Sequence, residues 1–321
     1  MTHWVLLVGL GQVAMGYDLD NAADDVILTH ARAFATHPSF RLVGGVDPRA
    51  DRRDLFLQRY GAATEDDLAT ALTRFNPDVV VIAAPTPNHG ALLRTVLEHA
   101  TPRVVLCEKP LSYRLDEARD MVRLCRDRGC ALYVNYLRRA APGAREVKRR
   151  LRQGLIVSPV KGVAWYTKGL LHNGSHFVNL LEFWLGPISG FNVIDRGRGL
   201  DDDDAEPDVR FDFAGGSVTL LAAHEENYSL HEIDLIAPNG RLRYAQGGGK
   251  IVWQAAVPDP LVEGYSVLSD PGDEIASGAE KTQWHVADQL AAWLADGESE
   301  LCSGADALQT LEWLRKIRET L

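Results

Sequence analysis

The chain has 321 residues, 46% of them hydrophobic and 24% charged, and a formal net charge of −10. This length exceeds one core of ordinary size and points to two domains. The composition excludes a disordered chain, and the acidic balance argues against nucleic acid as a partner.

No apolar run approaches the roughly 20 residues that span a bilayer, and the first strand begins almost at Met1 without a charged-then-apolar leader. A cytoplasmic chain with no membrane partner is therefore expected. The four cysteines fit neither a disulfide framework nor a zinc spacing, so no metal is expected, and Cys125 and Cys130 read as partly buried thiols.

His3 to Val8 is an apolar run of strand length ending in Gly9-Leu10-Gly11-Gln12-Val13-Ala14. A second strand, Arg41 to Val46, ends at Asp47. An acidic, helical stretch from Glu65 to Phe75 leads to the strand Asp78 to Ala83. Helix Gly90 to Ala100, strand Arg103 to Cys107, helix Leu115 to Arg128 and strand Ala131 to Val134 follow. Apolar strands alternating with amphipathic helices predict a doubly wound parallel sheet over residues 1–137.

The pattern then changes. Pro142 to Gln153 reads as a basic helix, Pro159 to Tyr166 as a strand, and His176 to Leu185 as an apolar helix stopped by Gly186-Pro187. The strands Asp208 to Phe213, Ser217 to Ala223, His231 to Ala237 and Gly240 to Tyr244 alternate in character, and Pro238-Asn239-Gly240 is a hairpin signal. Two amphipathic helices, Glu280 to Ala295 and Ala305 to Leu321, close the chain. Residues 138–321 are thus expected to form an α+β domain with a largely antiparallel open sheet, the last helices being free to pack back on the first domain.

The glycine turn has the spacing of a Rossmann dinucleotide fingerprint. Gly9 permits the turn, Gly11 lets the backbone approach a pyrophosphate, and Ala14 allows close helix packing, with Gln12 and Val13 at the helix N-terminus facing the phosphates. Asp47 can accept hydrogen bonds from ribose hydroxyls and would repel a 2′-phosphate, which predicts NAD rather than NADP. It lies farther along than usual because Gly16 to Ile27 reads as an inserted acidic loop, either a solvated excursion or a flap over the cofactor.

Two more segments fall at the ends of parallel strands: Pro85-Thr86-Pro87-Asn88-His89 and Glu108-Lys109-Pro110-Leu111. In this order and spacing, the glycine turn and these two segments resemble the Gfo/Idh/MocA oxidoreductases, named for glucose-fructose oxidoreductase and inositol dehydrogenase. The resemblance implies that Pro85, Thr86, Asn88, His89 and Glu108 are cofactor contacts. It also implies that Lys109, before a peptide often cis in the family, hydrogen-bonds the reacting hydroxyl. An ammonium beside a cationic nicotinamide has a lowered pKa and can exchange protons near neutrality.

The segment Gly169-Leu170-Leu171-His172-Asn173-Gly174-Ser175-His176-Phe177-Val178-Asn179 is similar to the family's substrate-domain signature. His176 matches the family's histidine. Relatives carry Asp where Asn173 and Asn179 stand, and an amide cannot act as a carboxylate base.

Lys109 with His176 is therefore expected to carry the proton and Asn179 to orient a sugar hydroxyl. Lys168, His172, Asn173 and Tyr136 are candidate substrate contacts, as are Tyr166 and Arg138. His224 and His231, read as strand residues, and Trp284, Trp293 and Trp313, read as core or interface, are expected to be structural. Asp201 to Asp204 reads as a solvated turn.

The implied activity is hydride transfer between NAD and a secondary alcohol of a sugar, cyclitol or nucleotide sugar, in a homodimer or homotetramer assembled through the open sheet. Two rivals are a redox-neutral elimination with retained cofactor and a regulatory protein that binds cofactor without turnover.

Overall fold

The computed structural model describes residues 2–321 except 22, 24, 200–203 and 225–226. The chain forms two compact units, one of Met1–Ala140 with Glu280–Gln309 and the other of Ala141–Ala279 with Thr310–Leu321.

In the first unit, strands β1 (His3–Val8), β2 (Phe40–Val46), β3 (Ala63–Glu65), β4 (Val79–Ile82), β5 (Val104–Cys107) and β6 (Ala131–Val134) run parallel in the order β6-β5-β4-β1-β2-β3. Helices α1 (His30–Thr36), α2 (Ala50–Tyr60), α3 (Leu68–Phe75), α4 (His89–His99) and α5 (Leu115–Asp127) connect them. Every residue of Val-Val-Val-Ile in β4 and Val-Val-Leu-Cys in β5 is buried, as expected for parallel strands covered on both faces.

In α5 the buried Ala118, Met121 and Cys125 fall on one stripe. The helix expected from Glu65 starts instead at Leu68, because Asp67 caps it by accepting from Thr70 N at 2.8 Å, and Glu65 ends β3. The strand order reverses at β1, which lies between β2 and β4. Open α/β sheets bind ligands at that point.

The second unit begins with α6 (Pro142–Arg152), β7 (Val160–Tyr166) and α7 (Ser175–Leu185). It continues through β8 (Ile188–Arg198), β9 (Glu206–Phe213), β10 (Gly216–Ala222), β11 (Glu232–Ala237), β12 (Gly240–Ala245), β13 (Lys250–Pro258), β14 (Ser266–Leu268) and β15 (Asp273–Ile275). Among the described residues these strands form one sheet, ordered β14-β13-β12-β11-β7-β10-β9-β8, with β15 on the edge of β13.

The sheet is open and largely antiparallel, but β7 and β10 pair in parallel at its centre. The apolar α7 covers one face, burying Phe177, Val178, Leu181 and Trp184 in a core shared with Ala164, Phe211, Leu220 and Leu235. Strand β8 has no clean alternation in its sequence. It is an edge strand with most side chains partly or fully exposed, so its sequence carries no burial pattern.

The chain then returns to the first unit as α8 (Thr282–Asp296) and β16 (Cys302–Ser303), which pairs antiparallel with β6. Val286, Ala287, Leu290 and Leu294 of α8 belong to the core that holds Val5, Phe34 and Val81. Helix α9 (Gly304–Thr320) ends the chain, placing Leu314 and Ile317 in the core of the second unit.

Trp284 packs on His37 and Trp293 on Tyr133 in the first unit, while Trp313 packs on Phe191 in the second. All four cysteines are buried and in no disulfide.

Candidate functional site

A cleft of about 770 Å³ opens at the C-terminal ends of β1, β2 and β4 in the first unit. Gly9, Gly11, Gln12, Val13, Asp47, Pro85 and Asn88 all line it. The two glycines do different jobs. Gly9 has φ +88°, and a Cβ there would sit 2.8 Å from Ala83 O and Ala84 N, so close approach of the β4 backbone requires glycine. At Gly11 the nearest atom to such a Cβ is Arg52 Nη1 at 3.6 Å, so this glycine leaves space on the cleft side.

Gln12–Gly16 form one short π-helical turn. The first N–H groups of any helical turn lack acceptors within it, and they suit an anion.

Asp47 is 3% exposed. Its Oδ2 accepts from Leu10 N and its Oδ1 from Arg49 N, both at 2.9 Å, and Arg52 Nη1 stands 3.5 Å from Oδ2. Each carboxylate oxygen keeps acceptor capacity for a ribose hydroxyl. Open space at Gly11 and an anchored acid at the end of β2 fit a dinucleotide.

The described residues between Gly16 and Ile27 are tied to the start of α1. Asp18, 1% exposed, accepts from Leu28 N (2.7 Å), Thr29 N (3.0 Å) and Thr29 Oγ1 (2.6 Å). Arg32 donates to the carbonyls of Asp18, Asn21 and Ala23. Tyr17, at the root of this knot, lines the cleft, as do Arg49 and Arg52. Sequence reasoning passed over these three, although the run Arg49, Arg52, Arg53 beside Asp47 was the available signal.

Thr86 and His89 are not among the cleft-lining residues. His89 is fully buried, with Nε2 2.9 Å from Ala84 O and Nδ1 3.2 Å from Leu111 O, so its ring ties two loops together.

Glu108 and Lys109 follow β5. The Glu108 carboxylate accepts from Asn135 Nδ2 at 2.6 Å and lies 2.7 Å from His30 Nε2, while its Oε2 accepts from Lys109 N at 3.3 Å. Burial pushes this carboxyl up, but the His30 and Asn135 hydrogen bonds and the charges of His30 and Lys109 more than offset it, leaving it below its ordinary value. Glu108 is thus placed in a polar cluster and is absent from the cleft lining. Lys109 is half-buried and its peptide to Pro110 is cis. Tyr136 is buried, at 4% exposure.

In the second unit, Gly169–Gly174 form a π-helical turn that runs into α7. His172 is exposed, and Asn173 Nδ2 is 3.2 Å from His231 Nε2. His231 also packs on Phe177. His224 and His231 lie in the connection between β10 and β11 rather than on strands. The contact from His231 to the predicted substrate segment had no signature in the sequence.

His176 lies in the first turn of α7, 8% exposed. Asn179 is fully buried and donates to Thr310 Oγ1 at 3.0 Å, which donates to Glu182 Oε2 at 2.7 Å. This network joins α7 to α9, and the expected sugar contact at Asn179 gives way to that packing role.

Tyr166 is also buried, donating to Pro207 O at 2.7 Å, so it offers no substrate contact. Asp201 to Asp203 lie outside the described residues. Asp204 is not a solvated turn residue, since its two oxygens accept from Leu171 N and His172 N. Burial pushes its carboxyl above the ordinary value despite these bonds.

A doubly wound sheet with an anchored acid and a glycine turn at its switch point defines a dinucleotide-binding domain. Residues 25–136 match the oxidoreductase family with an NAD-binding Rossmann fold, GFO_IDH_MocA. The chain is 29% identical over 206 residues to inositol 2-dehydrogenase of Rubrobacter xylanophilus, covering 64% of this chain and 56% of that protein. It is 30% identical over 166 residues to D-apiose dehydrogenase of Paraburkholderia graminis, covering 50% and 44%. The chain thus spans about half the length of these relatives.

Among solved structures, a putative NADPH-dependent oxidoreductase of Desulfitobacterium hafniense has the same fold, with a TM-score of 0.79 at 16% identity over 100% of this chain and 96% of that one. So does the WlbA dehydrogenase of Bordetella pertussis in complex with NADH and UDP-GlcNAcA, with a TM-score of 0.74 at 20% identity over 100% and 98%. The likeness to that oxidoreductase family is carried by residues 25–136.

Proposed function

We propose that this protein transfers hydride between NAD and a secondary alcohol of a sugar, cyclitol or nucleotide sugar. The observation that carries the reading is the cleft at the β1 switch point, with Asp47 anchored in it and Lys109 following β5 at the same edge of the sheet. Gly11, Gln12, Val13 and Asp47 would hold the pyrophosphate and adenosine ribose. The bound cofactor supplies the hydride acceptor or donor at nicotinamide C4.

Lys109 Nζ takes the hydroxyl proton as the carbon is oxidised and returns it in the reverse direction, with His176 assisting. The turn carrying His172 and Asn173, with Lys168 before it, recognises the hydroxyl groups of the substrate.

The test is NADH absorbance and fluorescence on purified protein with NAD or NADP and a panel of cyclitols, pentoses, glucosides and UDP-sugars. NAD-linked turnover that Lys109→Ala abolishes supports the reading; cofactor binding without turnover or cleavage of any panel member counts against it.

A second reading, chemistry without net oxidation, is favoured by a 22% identity to 2,7-anhydro-N-acetylneuraminate hydratase of Mediterraneibacter gnavus. Product formation without net NADH would select it.

The same proposal includes a cytoplasmic homodimer or homotetramer joined through the open sheet, where Trp165 and Ile236 are exposed on one face. Light scattering on the wild type and on Trp165→Glu with Ile236→Glu tests the assembly.

A further inference from the structure

Five consecutive backbone N–H groups in the turn before α7 are all taken by three consecutive residues, Asp204 to Glu206, that lead into β9. Lys168 N and Gly169 N donate to Glu206 Oε1 at 2.7 and 3.1 Å, and Leu170 N donates to Ala205 O at 3.1 Å. Leu171 N and His172 N donate to Asp204 Oδ1 and Oδ2 at 2.7 and 2.8 Å.

Glu206 is 1% exposed, and its Oε2 accepts from Arg198 Nη2 at 2.7 Å. A buried carboxylate is costly unless its lone pairs are filled, and here two N–H groups of the turn fill Oε1 while Arg198 takes Oε2.

The turn carries a backbone cost at Lys168, a side-chain-bearing residue at φ +66°. Gly169 takes φ +78° without penalty, and a Cβ there would fall 2.0 Å from Asp204 Oδ2, so the close approach requires glycine. Two acids thus hold a strained segment whose far end presents His172 and Asn173.

We propose that Asp204 and Glu206 are positioning residues for substrate binding. Their carboxylates set the path of residues 168–172 and thereby the placement of His172 and Asn173. The proposal rests on the reading of that turn as the substrate-recognising segment.

It makes the two ends of the turn separable: Glu206 fixes Lys168 and Gly169, while Asp204 fixes Leu171 and His172. Because Lys109 belongs to a different segment, loosening the Asp204 end weakens sugar binding more than it slows the chemical step.

The variant Asp204→Asn tests this, because an amide offers one acceptor where the carboxylate offers two. Gly169→Ala attacks the same contact from the other side and serves where the first variant does not fold.

Hydrogen exchange on the full-length protein should show protection over 168–172 falling by about tenfold, while β7, α7 and NAD affinity are unaffected. With the panel compound turned over fastest, KM should rise about tenfold with kcat largely retained. Unchanged protection overturns the clamp, and lost protection with unchanged KM, or a fall confined to kcat, overturns the positioning role. If the wild type oxidises no panel compound, the hydride-transfer reading falls. The positioning proposal falls with it unless a panel compound raises the wild type's exchange protection over 168–174 and fails to do so in Asp204→Asn.

Discussion

His30 Nε2 stands 2.7 Å from Glu108 Oε1, joining the first turn of α1 to the residue before Lys109. His30 is 1% exposed and the Glu108 side chain 12%. Because the folded carboxyl lies below its ordinary value of 4.5, this contact stabilises fully above that value and is lost as pH falls through the folded value. Thermal melts across that range should show the wild type losing more stability on acidification than Glu108→Gln. At neutral pH the variant should be less stable by about 1.5–3 kcal/mol, the worth of a hydrogen bond to a charged group.

Lys109→Met should lower kcat/KM by about 10²–10⁴-fold, the usual contribution of a positioned acid or base. NAD affinity, measured by fluorescence titration, should stay within a few-fold of the wild type, which separates lost proton transfer from lost binding.

Asp47→Ser should weaken NAD about tenfold or more and narrow the NAD preference over NADP. The acid both anchors the turn through Leu10 N and Arg49 N and lies 3.5 Å from Arg52, whose guanidinium becomes available to a 2′-phosphate once the carboxylate is gone. Parallel dissociation constants for the two cofactors check this. An unchanged NADP affinity would count against the role given to Arg52.

The glycines of the turn should separate fold from binding. Gly9→Ala places a methyl against the Ala83 carbonyl at positive φ and should lower the melting point, with a cost of about 1–3 kcal/mol. Gly11→Ala has room and should melt close to the wild type while losing cofactor affinity. Melting curves alongside NAD titrations distinguish the two.

The parts of the molecule governed by periodicity were legible in the sequence. The buried runs of β1, β4 and β5 and the stripe on α5 give the Rossmann sheet, because each strand is covered on both faces. Edge elements such as β8 and β14 were not legible, since wet strands have no required alternation.

The site was legible wherever a backbone constraint writes a residue type into the chain, as at Gly9 and Asp47. Contacts between residues far apart in sequence leave no such mark. His231 against Asn173, Asp204 against His172 and Asn179 against Thr310 are set by tertiary packing, which is why two of those positions were read as inert and one as a ligand contact.

Strand β16 and helix α8 complete the Rossmann unit with segments that begin about 150 residues or more after its sixth strand ends. During synthesis the nucleotide-binding unit therefore waits, with one sheet edge unpaired and part of its core uncovered, until nearly the whole chain has left the ribosome. A truncation just after β6 would strand that edge permanently and invite self-association, so the first unit is a poor candidate for expression by itself.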